Sequence, residues 1–266
     1  MTAESIIATV AFVLVLVALT MQIVALFRRL AKPGSIGSWA LLVASVLLVA
    51  VLVMRSVRIG FPALTSTWES LTFWAAIIGL VSWGYGRRTT MPYRPALVFG
   101  ATMAQAVVLS LANSPLIPSE ALPPIPALRS GWLVLHVSFA FIGEAFFIAG
   151  FVAAVLYLAS RDATRRLELD RLTYTAVAVG YPFFTAGALV FGAIWAQHAW
   201  GRWWSWDPKE TWALVTWLVY TIYLHARLVR GWKGKLPAIM AVAGFLCTLF
   251  TFFGVNYLLA GLHSYG

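Results

Sequence analysis

The sequence predicts an all-α integral membrane protein, a bundle of about eight transmembrane helices. Three observations predict it: an apolar composition, long apolar runs, and basic residues gathered between alternate runs. Hydrophobic residues make up 61% of the 266 and charged residues only 11%, and mean hydropathy is +0.86. That is more apolar surface than a soluble core can absorb. The net charge of +10 does not indicate a nucleic-acid binder, because its basic residues sit in small clusters between apolar runs instead of one stripe.

Taken in order, the runs predict spans near 5–27, 37–54, 66–85, 95–112, 131–160, 173–196, 208–229 and 236–259. The first has no basic residues before it and is too long for a cleaved signal segment, so it is expected to be a retained helix. No soluble domain remains, and residues 1–266 read as a single polytopic membrane domain. Fourteen of the nineteen basic residues fall in the connections 1–2, 3–4, 5–6 and 7–8; Arg55, Arg58, Arg129, Arg202 and Lys209 fall in the others. Basic residues mark cytoplasmic connections. Both termini and connections 2–3, 4–5 and 6–7 are therefore expected on the non-cytoplasmic side, with an even span count.

Connection 4–5 contains Pro115, Pro118, Pro123, Pro124 and Pro126, which favour an extended segment, either a lid over an outer site or a plain connector. The only cysteine, Cys247, lies in an apolar run, which excludes a disulfide, a CxxC redox pair and a thiolate metal cluster.

Connection 6–7 carries the chemistry. Seven of the thirteen tryptophans, Trp195, Trp200, Trp203, Trp204, Trp206, Trp212 and Trp217, fall within one segment, the outer loop expected at about 195–217. An interfacial aromatic belt spreads its tryptophans over many helix ends. Flat rings collected in one place suit a large planar π-system such as a porphyrin. Asp207, Pro208 and Glu210 read as a helix start, with Asp207 as N-cap and Glu210 closing a capping box. Arg202 and Lys209 are left either to pair with haem propionates or to stand as solvated surface charges.

Four histidines are present. His136, near the outer end of span five, and His263, just beyond span eight, lie at the depth of the tryptophan segment, and two imidazoles can ligate one iron axially. His225 lies roughly 25 Å along span seven, too far to join them. An ionisable group inside a span is a functional candidate, so His225 is either an inner haem ligand or a residue held by Tyr223, Arg227 or a backbone carbonyl. Glu144, mid-span, is either a hydrogen-bonded carboxyl or a proton relay.

The segment Trp200-Gly-Arg-Trp-Trp-Ser-Trp-Asp-Pro-Lys-Glu-Thr-Trp-Ala213 resembles the tryptophan-rich WWD signature of haem-handling membrane proteins, in particular the CcsA (ResC) type of system II cytochrome c biogenesis. Trp132–His136, Tyr223–Arg227 and Gly261–Tyr265 extend the likeness, and Trp68-Glu69-Ser70 carries a weaker one into the first half. The resemblance implies haem b as cofactor, held at an outer site by His136 and His263 among Trp200, Trp203, Trp204, Trp206, Arg202 and Lys209, and inside the membrane by His225. It implies haem transport and presentation to the reduced CXXCH motif of apocytochrome c, as a subunit of a cytochrome c synthase (haem lyase). It also implies a CcsB (ResB) type membrane partner supplying a second intramembrane histidine, and a location in a bacterial inner membrane, or its thylakoid equivalent, with the haem site facing the periplasm or lumen. His198 stands where the family pattern has no histidine. The alternatives are a HemX-like protein affecting tetrapyrrole synthesis, which shares parts of the motif, and a non-haem transporter, which predicts more paired ionisable groups within spans.

Overall fold

The structure, a computed structural model, describes residues 3–28, 31–87 and 94–259. Among them, all regular structure is helical: α1 (Ala3–Arg28), α2 (Ala31–Ile59), α3 (Thr67–Gly86), α4 (Arg94–Ala112), α5 (Gly131–Ala159), α6 (Ala163–Trp200), α7 (Pro208–Leu228) and α8 (Lys235–Leu258), with one 3-10 turn at Pro126–Leu128. Six of the eight are long and apolar enough to cross a membrane. The other two, α3 and α7, have 20 and 21 residues, and their apolar character is diluted by tryptophan, tyrosine and polar residues.

The chain forms two compact units, Met1–Arg129 and Ser130–Gly266. In the first, α1 packs on α2, α2 on α3, α3 on α4, and α4 returns to α1; in the second, α5, α6, α7 and α8 close the same kind of ring. Short connections between successive apolar helices leave antiparallel neighbours as the packing solution.

Six helices lie within a few residues of their expected spans, and two run longer. α2 continues past residue 54 because the charges that should end it are paired. Arg55, fully buried, lies 3.2 Å from Glu69 and 3.6 Å from Glu4, with its guanidinium 4.3 Å from the Trp68 ring centroid, and it donates to the Ser119 carbonyl. Arg58 meets Glu4 at 2.8 Å. A charge out of water persists only when paired and hydrogen-bonded, so Arg55 is an internal tie and not a loop charge. Glu69 also accepts from the Thr65 and Ser66 amides and closes the capping box of α3. Beside this network, Glu4, Arg58, Trp68 and Glu120 line a cavity of about 500 Å³.

α6 begins ten residues before the expected span. The basic stretch read as a connection is helix, started by Asp162, whose carboxylate accepts from the Arg165 amide. It is anchored by Asp170, which accepts from Arg227 at 2.8 Å and from the Gly234 amide at 3.0 Å. The helix continues to Trp200, so the connection between α6 and α7 is only residues 201–207 and not 195–217.

Candidate functional site

Two irregularities shape the second unit. α6 carries Pro182 and then widens into a π-helical stretch, Thr185–Phe191; α8 does the same at Phe250–Gly254. Proline removes one helical hydrogen bond and crowds the preceding turn, and π turns re-aim side chains and recur at functional sites. On α6 the widened stretch turns the Gly187 carbonyl toward α5, where His136 Nδ1 donates to it at 2.9 Å. This contact needs glycine, because a Cβ on Gly187 would lie 2.2 Å from the Ala140 amide nitrogen. Gly192 faces the same imidazole, with a Cβ position 3.0 Å from Nδ1.

With a carbonyl as its acceptor, Nδ1 carries the proton and the lone pair resides on Nε2, the arrangement by which proteins orient a metal-binding imidazole. Stacking fixes the ring plane: Trp195, 4% exposed, lies 5.9 Å away at 11°. Trp200 packs edge-on to Trp195 at 4.8 Å.

The tryptophans divide by role. Trp195 is core, Trp212 packs on Phe250 at 4.3 Å, and Trp217 stacks on Tyr181 and donates to Thr185 Oγ1 at 3.0 Å. These three hold helices together. Trp203 and Trp206, in the connection, are 58% and 69% exposed, and Trp204 is half-buried with its ring edge-on to Trp206 at 5.8 Å. Trp206 has φ of +58°, a conformation costly for a bulky L residue.

Glu210 stabilises that turn. Its Oε2 accepts from the Ser205 amide at 2.8 Å, the Ser205 hydroxyl at 3.1 Å and the Asp207 amide at 3.3 Å, while Asp207 caps α7. The capping role expected of Asp207 and Glu210 is the one observed. Glu210→Ala is expected to release three donors, costing about 1–3 kcal/mol locally. Hydrogen exchange should then accelerate at residues 205–207 and stay unchanged in α5.

Lys209 is not a solvated surface charge. It is half-buried, donates to Asn256 Oδ1 at 3.0 Å and lies 5.5 Å from the Phe252 ring centroid. Arg202 is exposed.

His198 falls within the outer loop expected at about 195–217, yet it is helical. It lies in the last turn of α6, its Nδ1 bonded to the Ile194 carbonyl at 2.8 Å and its ring 6.3 Å from Trp132. His263 lies outside the described residues. His225 is on an exposed face of α7 shared with Leu218, Ile222 and Val229, which are exposed too. Tyr223 is buried on a different face and Arg227 is committed to Asp170 and the Trp232 carbonyl. Sequence reasoning missed the Gly187 carbonyl and Asn256. A stretch with Pro182, Gly187 and Gly192 in one helix was the available signal for the first.

Comparison with known proteins identifies the class. The family profile described as Cytochrome C assembly protein matches residues 64–263, and the chain belongs to that family. Its relatives include the cytochrome c biogenesis protein CcsA of Chlamydomonas reinhardtii, 40% identical over 84% of this chain and 66% of that protein's length. CcsA of Guillardia theta is 34% identical, covering 91% of this chain and 89% of its own. CcsA of Prochlorococcus marinus strain MIT 9515 is 32% identical, covering 96% and 91%. Among solved structures, the cytochrome c haem lyase CcmF superposes with a TM-score of 0.72 at 17% identity, over 94% of this chain and 46% of that one, a likeness of fold. The protein is thus a CcsA-type, multi-pass membrane protein of cytochrome c biogenesis.

Proposed function

We propose that the chain receives haem b as its cargo at residues 195–210 and presents it for attachment to apocytochrome c, with His136 and His263 as axial ligands. The observation that carries this reading is the His136 imidazole, oriented by the Gly187 carbonyl and the Trp195 face so that Nε2 holds its lone pair. Trp200, Trp203, Trp204 and Trp206 offer ring faces to the macrocycle; Arg202 and Lys209 offer cations to its propionates. The family match, running from residue 64 to 263 through both units, supports treating the chain as one functional domain. Attachment joins two thiols of a reduced CXXCH motif to the haem vinyl groups. Each S–H adds across a C=C bond, so nothing leaves and no oxidant is consumed. The chain's part is to hold the haem still and turn its edge toward the peptide.

His225 supports a partner. An imidazole on an exposed apolar helix face has no counterpart for a second axial bond within α7, and a CcsB (ResB) type subunit would supply the other intramembrane histidine. The charge bias supports a periplasmic or lumenal position for the tryptophan segment, in a bacterial inner or thylakoid membrane. The test is reconstitution in a host stripped of maturation systems. The chain with its partner should mature cytochrome c, while the chain alone, or His225→Ala with the partner, should give a small fraction of that yield. Full maturation by the chain alone would overturn the partner, and an alkaline phosphatase fusion inactive at residue 203 would overturn the orientation.

A further inference from the structure

The residues proposed to hold haem lie in the second unit, and the cavity of about 500 Å³ belongs to the first. It lies where α1 begins and α2 ends, and both helices are long and apolar enough to cross a membrane, so its level is that of a membrane–water interface. Its polar side chains differ in what the fold leaves them to offer. Arg55 is committed to Glu69, Glu4 and the Ser119 carbonyl. Arg58, half exposed, meets only Glu4 among the described residues, so most of its N–H donors stay open. The other walls offer acceptors. Glu120, in the proline-rich segment, is exposed and pairs with no cation among the described residues. Asn113 Nδ2 donates to the Leu109 carbonyl at 2.7 Å, leaving Oδ1, and Thr9 Oγ1 donates to the Ser5 carbonyl at 2.8 Å, leaving its lone pairs. The α1 wall then turns apolar. Phe12 lines the cavity and Leu16, one turn on, is exposed on the same face, while α4 packs beside α1 and exposes Met103, Val107 and Leu111 in the turns before Asn113.

We infer that this cavity holds the head group of an aminophospholipid, with the phosphate on Arg58 and the primary ammonium on Glu120, Asn113 and Thr9. A guanidinium with open donors matches phosphate oxygens, and a carboxylate beside two neutral acceptors matches an ammonium, which donates through every N–H it carries. The acyl chains continue past Phe12 and Leu16 along the exposed apolar flank of α1 and α4. Charge sets the preference among head groups. Arg55 and Arg58 are balanced by Glu4 and Glu69, which leaves Glu120 as the anion without a counter-ion. A head group with a phosphate and no ammonium adds a second negative charge beside it. A choline head group brings a cation without N–H donors, so it cannot hydrogen-bond to Asn113 or Thr9. Because Ser119 and Glu120 belong to the proline-rich segment, an occupied cavity ties that segment to α1 and α2.

The experiment exposes the full chain, delipidated in detergent, to equal amounts of phosphatidylethanolamine, phosphatidylcholine and phosphatidylglycerol with identical acyl chains, and identifies the retained lipid by native mass spectrometry. Wild type should keep phosphatidylethanolamine with a preference of about tenfold over the other two, the change in binding that one charge-assisted hydrogen bond supplies. Glu120→Gln alters an exposed side chain that has no partner to lose, and should abolish the preference. Phosphatidylethanolamine should also raise the Tm of wild type more than that of Glu120→Gln, because a ligand bound to the folded state stabilises it. Glycerophosphoethanolamine, the same head group without acyl chains, should not displace the lipid at matching concentration. Equal retention of the three lipids by wild type, a preference that survives in Glu120→Gln, or displacement by the chainless head group would each overturn the inference.

Discussion

Replacing His136 by alanine is expected to reduce haem retained at the outer site, and cytochrome c yield with it, by more than tenfold. Loss of a residue that only orients a metal ligand costs roughly 10–100-fold in affinity, and this change removes the proposed ligand itself. The effect on folding should be small, because the imidazole is only half-buried. The variant should therefore reach the membrane in normal amounts, and added imidazole should restore part of the haem signal by filling the vacated axial position. Unchanged yield in His136→Ala would remove His136 from the site.

Gly187→Ala is expected to be the most damaging single methyl in the second unit. The new Cβ would lie 2.2 Å from the Ala140 nitrogen and 2.7 Å from the Phe139 carbonyl carbon, both backbone atoms, so α5 and α6 must separate. Overpacking typically costs about 1–3 kcal/mol, and a clash with backbone belongs at the upper end. Separation would also carry the Gly187 carbonyl away from His136, coupling lost stability to lost haem. Gly84→Ala is the control, because a Cβ there meets nothing within 4 Å. Thermal unfolding in detergent should show a clear fall in Tm for Gly187→Ala and little change for Gly84→Ala; equal values would contradict the close packing.

Most of the fold was legible because a bilayer makes helix length and apolarity nearly sufficient for locating spans. Where the reading went astray, the cause was charge that the fold pairs internally. Arg55 and Asp170 looked like connection residues, yet the first is held by Glu4 and Glu69 and the second holds Arg227. The candidate site was visible in the sequence as residue types and not as geometry. The tryptophan cluster singled out residues 195–217, but no periodicity shows which rings hold helices together and which stand exposed. The π stretches were invisible too, since a widened turn depends on how α5 and α6 approach and leaves only Pro182 and two glycines as a trace. His198 was misjudged for the same reason, a helix continuing four residues further than the expected span.

The central claim is tested most directly by the absorption spectrum of the full chain purified with its native haem, alongside His136→Ala, His263→Ala and His198→Ala. The account predicts a six-coordinate, low-spin haem b whose spectrum is lost or converted to a five-coordinate form in the first two variants and retained in the third. A chain that carries no haem, or a spectrum lost in His198→Ala alone with the other two unaffected, would contradict it.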